Sequence, residues 1–271
     1  MGELFEFGLC NKFYPGSNIH VVISFFAVII IGYLLGSLNF GVIISKVVYH
    51  DDIRRHGSKN AGATNMLRTY GKIPAAATFL GDGLKTALAV LIGALFLGTH
   101  NTAFYTQNGV IYQDSAHLLR HLQEIYGNNI PADLNISNIP GLMSYMGYAG
   151  MYIGGLAAIV GHAFPVYYRF KGGKGVVSTA VMILCTEPVV FAILILIFIC
   201  IVAVTKFISL GSIMGVLFYP FLLNRMTGFG LHNLIAVLIT LFVLYLHREN
   251  IARLVNGTES KLSFGKKDKK T

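Results

Sequence analysis

Residues 51–72, D-D-I-R-R-H-G-S-K-N-A-G-A-T-N-M-L-R-T-Y-G-K, form the densest polar stretch of a very apolar chain. Arg54, Arg55, Lys59, Arg68 and Lys72 supply cationic donors, and Ser58, Asn60, Thr64 and Asn65 supply short hydrogen-bonding side chains. Gly57, Gly62 and Gly71 let the backbone turn its N–H groups inward. Inward amides beside Arg and Lys suit a phosphate-bearing ligand, although a solvated basic loop at a membrane surface would look the same in isolation. Further along, F-K-G-G-K-G at 170–175 sets Lys171 and Lys174 around Gly172 and Gly173, with Gly175 following. It lacks the G-x-x-x-x-G-K-[ST] spacing of a nucleotide-binding loop. A basic helix cap would need no three glycines, which favours phosphate binding. In H-R-E-N at 247–250, His247 and Asn250 are three apart and share a helical face. His162 stands just before Pro165, at a helix end, where local hydrogen bonding and a functional role are equally good readings.

The elements that must position these residues are membrane spans. Only 12% of the 271 residues are charged and 54% are hydrophobic, with a mean hydropathy of +0.63; a soluble domain carries about 25% charged residues. Apolar runs at 19–48, 73–98, 141–164, 176–186, 188–204, 207–223 and 231–246 predict seven crossings, some short or broken. Gly32, Gly36, Ser37 and Gly41 in the first run read as a close-packing face. Asp82 and Lys85, three apart in the second, predict mutual pairing inside the bilayer or support for a nearby pocket. Between them and the third run, 99–140 is polar and reads as a long loop with a short amphipathic helix near 114–126. Cys10, Cys185 and Cys200 form no C-x-x-C pair, so neither a disulfide framework nor a zinc site is expected. Glu3 and Glu6 stand where a cleavable leader would be basic, so none is expected.

Seven crossings put the termini on opposite sides. With the tail cytoplasmic, the inner segments are about 45–72, 165–175, 205–206 and 247–271. They hold all of the 21 Lys and Arg except Lys12, Lys85, Arg120 and Arg225. That bias obeys the positive-inside rule and accounts for the net charge of +9 without nucleic acid. The three Gly-, His- and base-rich segments then share one face and can build one pocket at the membrane edge.

G-S-x-N-x-G-A-T-N-x-x-R at 57–68, G-H-x-F-P-x-x-x-x-F-K-G-G-K-G at 161–175 and H-R-E-N-I at 247–251 resemble the three signature segments of the PlsY family, bacterial acyl-phosphate:glycerol-3-phosphate acyltransferases. G-S-L-N-F-G at 36–41 and the D-x-x-K of Asp82 and Lys85 are similar as well. The likeness spans nearly the whole chain; residues 1–18, the 99–140 loop and the lysine-rich tail fall outside it.

The resemblance implies an all-α integral membrane enzyme of seven helices, with the N-terminus outside and the C-terminus cytoplasmic. It would be a single domain, 1–271, with an extracytoplasmic insertion at 99–140 and a basic tail at 256–271. Its setting would be the bacterial cell membrane, with the site on the cytoplasmic face. The reaction implied moves an acyl group from acyl phosphate to the 1-hydroxyl of glycerol 3-phosphate, giving lysophosphatidic acid and inorganic phosphate. Substrate-binding residues implied are Ser58, Asn60, Thr64, Asn65, Arg68, Lys171, Gly172, Gly173, Lys174, Gly175, His247 and Asn250, supported by Ser37, Asp82, Lys85 and His162. Acyl phosphate is already activated, so no covalent nucleophile is required; the proton can pass to a substrate phosphate, and His247 is either base or binder. The acyl tail is expected between lipid-facing helices. No metal or other cofactor is expected, and functional coupling to an acyl-phosphate-producing enzyme is. The His-x-x-x-x-Asp pattern of thioester-dependent acyltransferases is absent, because no His stands five residues before any Asp. A transporter for a phosphorylated anion is the alternative, disfavoured because the polar segments crowd onto one face.

Overall fold

The computed structural model describes residues 19–97, 105–107, 110–112, 123, 127, 143–228 and 230–262. Among the described residues ten α-helices carry the fold: α1 Ile19–Ser37, α2 Phe40–Tyr49, α3 Ala63–Thr69, α4 Lys72–Leu97, α5 Tyr145–Ala163, α6 Val176–Thr186, α7 Pro188–Thr205, α8 Ile208–Thr227, α9 Leu231–Leu246 and α10 Arg248–Val255. Each of the seven apolar runs carries helix among the described residues, although residues 143–144 of the third are strand. Five spans are long and apolar enough to cross a membrane, and α9 with α10, bent by 60°, makes a sixth. The remaining run, α6, has only 11 residues, which is short for a full crossing.

Breaks in the apolar runs follow from local chemistry. Between α1 and α2 the chain leaves the helix at Leu38–Asn39, and Asn39 Oδ1 restarts it by accepting the Val42 N–H at 3.4 Å. Pro188 opens α7 at its first position, where a missing N–H costs nothing. His247 ends α9 and begins α10, so the H-R-E-N segment sits on the bend.

Helices α1, α4 and α5 pack mutually. A methyl group at Gly93 would collide with the carbonyl of Gly150, and one at Gly150 with the carbonyl of Gly93. These backbones touch because neither residue carries a Cβ, the device that joins helices where lipid removes the hydrophobic drive. A second core joins α5 and α6 to α7, α8 and α9 through Tyr152, Ile159, Met182, Leu194, Tyr219 and Ile239.

Outside the helical body, β1 (Tyr105–Gln107) pairs antiparallel with β2 (Val110–Tyr112) and β3 (Met143–Ser144). Both β1 and β2 fall within the segment read as a long loop with one short helix, so it contains sheet as well. The amphipathic helix expected near 114–126 lies outside the described residues apart from Gln123.

Candidate active site

The 51–72 loop is folded by its own side chains. Asn65, 2% exposed, donates through Nδ2 toward the carbonyls of Ile53, His56 and Asn60 at 3.2, 3.0 and 2.9 Å. Its Oδ1 accepts the Ser58 N–H at 3.0 Å. Asn60 Oδ1 accepts the Gly62 N–H at 3.1 Å. Asp52 holds Arg54 at 2.7 Å, and that hydrogen bond brings the Asp52 carboxyl down to about 2. Arg54 Nη1 in turn donates to the carbonyls of Tyr168 and Lys171 at 2.9 and 3.1 Å. The first basic loop is thereby fastened to the second.

The second loop rests on the end of α5. Gly172 N–H donates to Ala163 O at 3.2 Å and Gly173 N–H to His162 O at 3.0 Å. Added methyl groups there would strike the His162 carbonyl and the His162 ring. The two glycines thus let the loop lie directly on the helix, and their amides are taken up internally, where a phosphate contact was expected. The αL glycine Gly175 (φ 74°) then opens α6 with no side-chain cap. The free amides of the α6 first turn begin beside Lys174.

These loops enclose a cleft of ≈ 300 Å³. Ser58, Asn60, Thr64, Asn65 and Arg68 line it from the first loop and α3, and Lys174 and Gly175 from the second. His247 and Asn250 come from the α9–α10 bend, and Asp82 and His162 from α4 and α5. The three sequence segments do meet. Lys171 is exposed and Gly172, Gly173, Ser37 and Lys85 are not among the lining residues. Ser37 instead accepts the Val166 N–H at 3.4 Å. Lys85 reaches Asp82 at 2.7 Å and Leu38 O at 2.6 Å, as the pairing of the two residues predicted.

Within the cleft Lys174 Nζ donates to Asn250 Oδ1. Burial, followed by the nearby Arg253 charge, lowers the Lys174 ammonium to about 8. His247 Nδ1 lies 2.8 Å from Val243 O. A carbonyl only accepts, so Nδ1 carries the proton and a neutral His247 leaves an Nε2 lone pair. Arg68 Nη2 donates to Ser260 O at 3.1 Å.

Sequence reasoning missed Glu259, Ser209 and the apolar wall. Glu259 accepts from Ser209 Oγ at 2.8 Å, Asn250 Nδ2 at 2.7 Å and Arg253 Nε at 2.7 Å. Burial raises its carboxyl, but bonds from Arg253, Ser209 and Asn250 outweigh that and hold it below the usual range. Phe79, Val176, Val177, Phe198 and Ile208 line the apolar part. Among the described residues no group of three His, Cys, Asp or Glu could hold a metal ion.

A helical membrane body with a basic, part-apolar cleft among its helix ends defines a membrane protein that handles an anionic, amphiphilic ligand. Residues 26–257 match the family model described as glycerol-3-phosphate acyltransferase. The glycerol-3-phosphate acyltransferase of Mycoplasmopsis agalactiae is 33% identical over 265 residues, covering 89% of this chain and 95% of the relative. That of Finegoldia magna is 33% identical over 236 residues, covering 86% and 93%. The crystal structure of PlsY, an integral membrane glycerol 3-phosphate acyltransferase, in its glycerol 3-phosphate form superposes with a TM-score of 0.64 at 27% identity, over 89% of this chain and 96% of that one. Its lysophosphatidic acid form gives 0.62 at 26%. The chain belongs to the glycerol-3-phosphate acyltransferase family. It is an integral membrane acyltransferase whose acceptor is glycerol 3-phosphate.

Proposed function

We propose that the acyl donor is acyl phosphate and the products are 1-acylglycerol 3-phosphate and inorganic phosphate. The observation that carries this reading is the gathering of Arg68, Lys174, His247 and Asn250 around one cleft with an apolar wall. Two phosphates and a fatty chain need such a surface. Arg68 and Lys174 neutralise the phosphates, Arg through a planar fork and Lys as a point charge. Ser58, Asn60 and Thr64 complete the polar wall, and the α6 first turn beyond Gly175 offers its amides to the second phosphate. Asn65, Gly172 and Gly173 shape the loops rather than grip a ligand, because their polar groups are committed internally. Lys171 serves the same end through its carbonyl.

In the reaction, the 1-hydroxyl oxygen of glycerol 3-phosphate attacks the acyl carbon. The new C–O ester bond forms as the bond from acyl carbon to phosphate oxygen breaks. The hydroxyl proton leaves with the departing phosphate. His247 Nε2 accepts a hydrogen bond from the neighbouring 2-hydroxyl and so orients the acceptor substrate, and Asn250 aligns Lys174. Positioning and charge neutralisation supply the rate. The fatty chain lies along Phe79, Val176, Val177, Phe198 and Ile208. The positive-inside bias supports an orientation of the seven crossings with the 99–140 insertion outside and the cleft opening to the cytoplasm; the reading is completed by a single domain, 1–271, in a bacterial cell membrane. An enzyme that makes acyl phosphate must supply the donor.

Purified protein given glycerol 3-phosphate with acyl phosphate, acyl-CoA or acyl-carrier protein tests the donor. Lysophosphatidic acid should appear with acyl phosphate alone. Product from either thioester, and none from acyl phosphate, would overturn the assignment.

A further inference from the structure

Lys85 Nζ lies 2.6 Å from Leu38 O, 2.7 Å from Asp82 Oδ1 and 3.0 Å from His162 Nδ1. An ammonium has three N–H donors and no lone pair. These three acceptors use all of them, and His162 Nδ1 must then be the unprotonated ring nitrogen. The opposite tautomer would aim an Nδ1 proton at Asp82 Oδ1, which is 3.5 Å away, with the ammonium closer than the carboxylate. His162 is therefore neutral with its proton on Nε2. Lys85 and Asp82 cancel in charge, so the cluster does not repel an anion.

The ring edge bearing Nε2 faces away from this cluster. A methyl group at Gly173 would run into Nε2 itself, so that nitrogen borders the loop leading into Lys174 and Gly175. His162, Lys174 and Gly175 line the same cleft. Among the described residues Nε2 makes no hydrogen bond, whereas Nδ1 meets Lys85. His247 is the complement: its Nδ1–H is tied to Val243 O at 2.8 Å, leaving Nε2 as acceptor. One imidazole of the cleft donates and the other accepts, and each tautomer is fixed from behind.

We propose that His162 is a further substrate-binding residue whose Nε2–H donates to a phosphoryl oxygen held beside Lys174. The proposal deepens the acyl-transfer reading and rests on it. The oxygen belongs either to acyl phosphate or to glycerol 3-phosphate, and both present the same acceptor chemistry. Lys85 and Asp82 act through His162 as positioning residues.

Two near-isosteric variants separate the ring nitrogens. His162→Asn keeps an acceptor where Nδ1 stood and removes the donor. His162→Gln carries an amide N–H close to the former Nε2. His162→Asn should raise the KM for one substrate about tenfold or more, the weight of a hydrogen bond to a charged oxygen, while His162→Gln retains most of the affinity. The substrate whose KM rises identifies the source of the phosphate. In the full-length wild type, nitrogen NMR of labelled histidine should show the Nε2–H tautomer for the signal lost in His162→Gln. That signal should move on adding inorganic phosphate or glycerol 3-phosphate, or, where the oxygen is the donor's, the KM for acyl phosphate alone should rise. An Nδ1–H tautomer, unchanged KM values in His162→Asn, or equal losses in both variants would overturn the proposal. The tautomer is read without turnover, so failure of the acyl-transfer reading would show separately, as wild type that makes no product.

Discussion

Lys174 concentrates the electrostatics of the site on one titratable group. Burial lowers its ammonium to about 8 in the free protein, so it is cationic below that pH and neutral above it. The kcat/KM for the phosphate substrates reports the free enzyme and should fall as pH rises through about 8. Lys174→Arg stays charged throughout, and its profile should lose this alkaline limb; an unchanged limb would assign the titration elsewhere. Among the described residues Arg68 is held by the Ser260 carbonyl alone, at 3.1 Å, and it is exposed. Arg68→Ala should therefore raise the KM for glycerol 3-phosphate sharply with little change in thermal stability. Asn65 behaves oppositely, because four loop groups depend on its amide. Asn65→Ala leaves buried partners unpaired at about 1–3 kcal/mol and should show first as a lowered Tm. The sequence presented Asn65 and Arg68 as equals, three apart in one motif. Which one faces inward depends on the turn of the loop, and residue type does not record that.

At the scale of elements, the small residues and the buried charges make separate demands. Helices α1, α4 and α5 approach through glycines, and Gly150→Leu should lower the Tm steeply because its side chain meets the Gly93 backbone. Removing one member of the buried Asp82–Lys85 pair, 2.7 Å apart, strands the other at about 3–5 kcal/mol. Asp82→Ala should therefore unfold at markedly lower temperature than Lys85→Met/Asp82→Leu, which removes both charges. Equal loss in the two would mean the pair is not electrostatically coupled. Asp82–Lys85 was legible from D-x-x-K, since ionisable groups in a span must pair. The β1–β2 hairpin was not, although Gln107 and Val110 pair across Asn108-Gly109, a dipeptide that favours tight hairpins. Length and polarity drew the eye to an irregular loop. The role of Gly172 and Gly173 was hidden for a different reason. A glycine that frees its amide for a ligand and one that lets a loop lie on a helix look identical in sequence.

For the whole molecule, three distant polar segments and an unforeseen fourth, the tail around Glu259, close one cleft among the ends of a helical membrane body. The length of the apolar runs and the charge bias pointed to the spans and to the convergence of the first three. Glu259 escaped notice because an acid in a basic tail resembles solvated surface until Ser209, Asn250 and Arg253 are seen to surround it. Cysteines introduced at 171 and 256 should label from the same side of the membrane, and one at 109 from the other. Labelling of all three from one side would refute the topology.

In the proposed reaction the cleft brings two anions together for direct acyl transfer, with no acyl group passing through the protein. Pre-steady-state phosphate release from acyl phosphate in the absence of glycerol 3-phosphate tests it most directly. Direct transfer gives no burst, together with intersecting initial-rate lines when both substrates are varied. A burst of one phosphate per protein, with parallel lines, would establish an acyl-enzyme and contradict it.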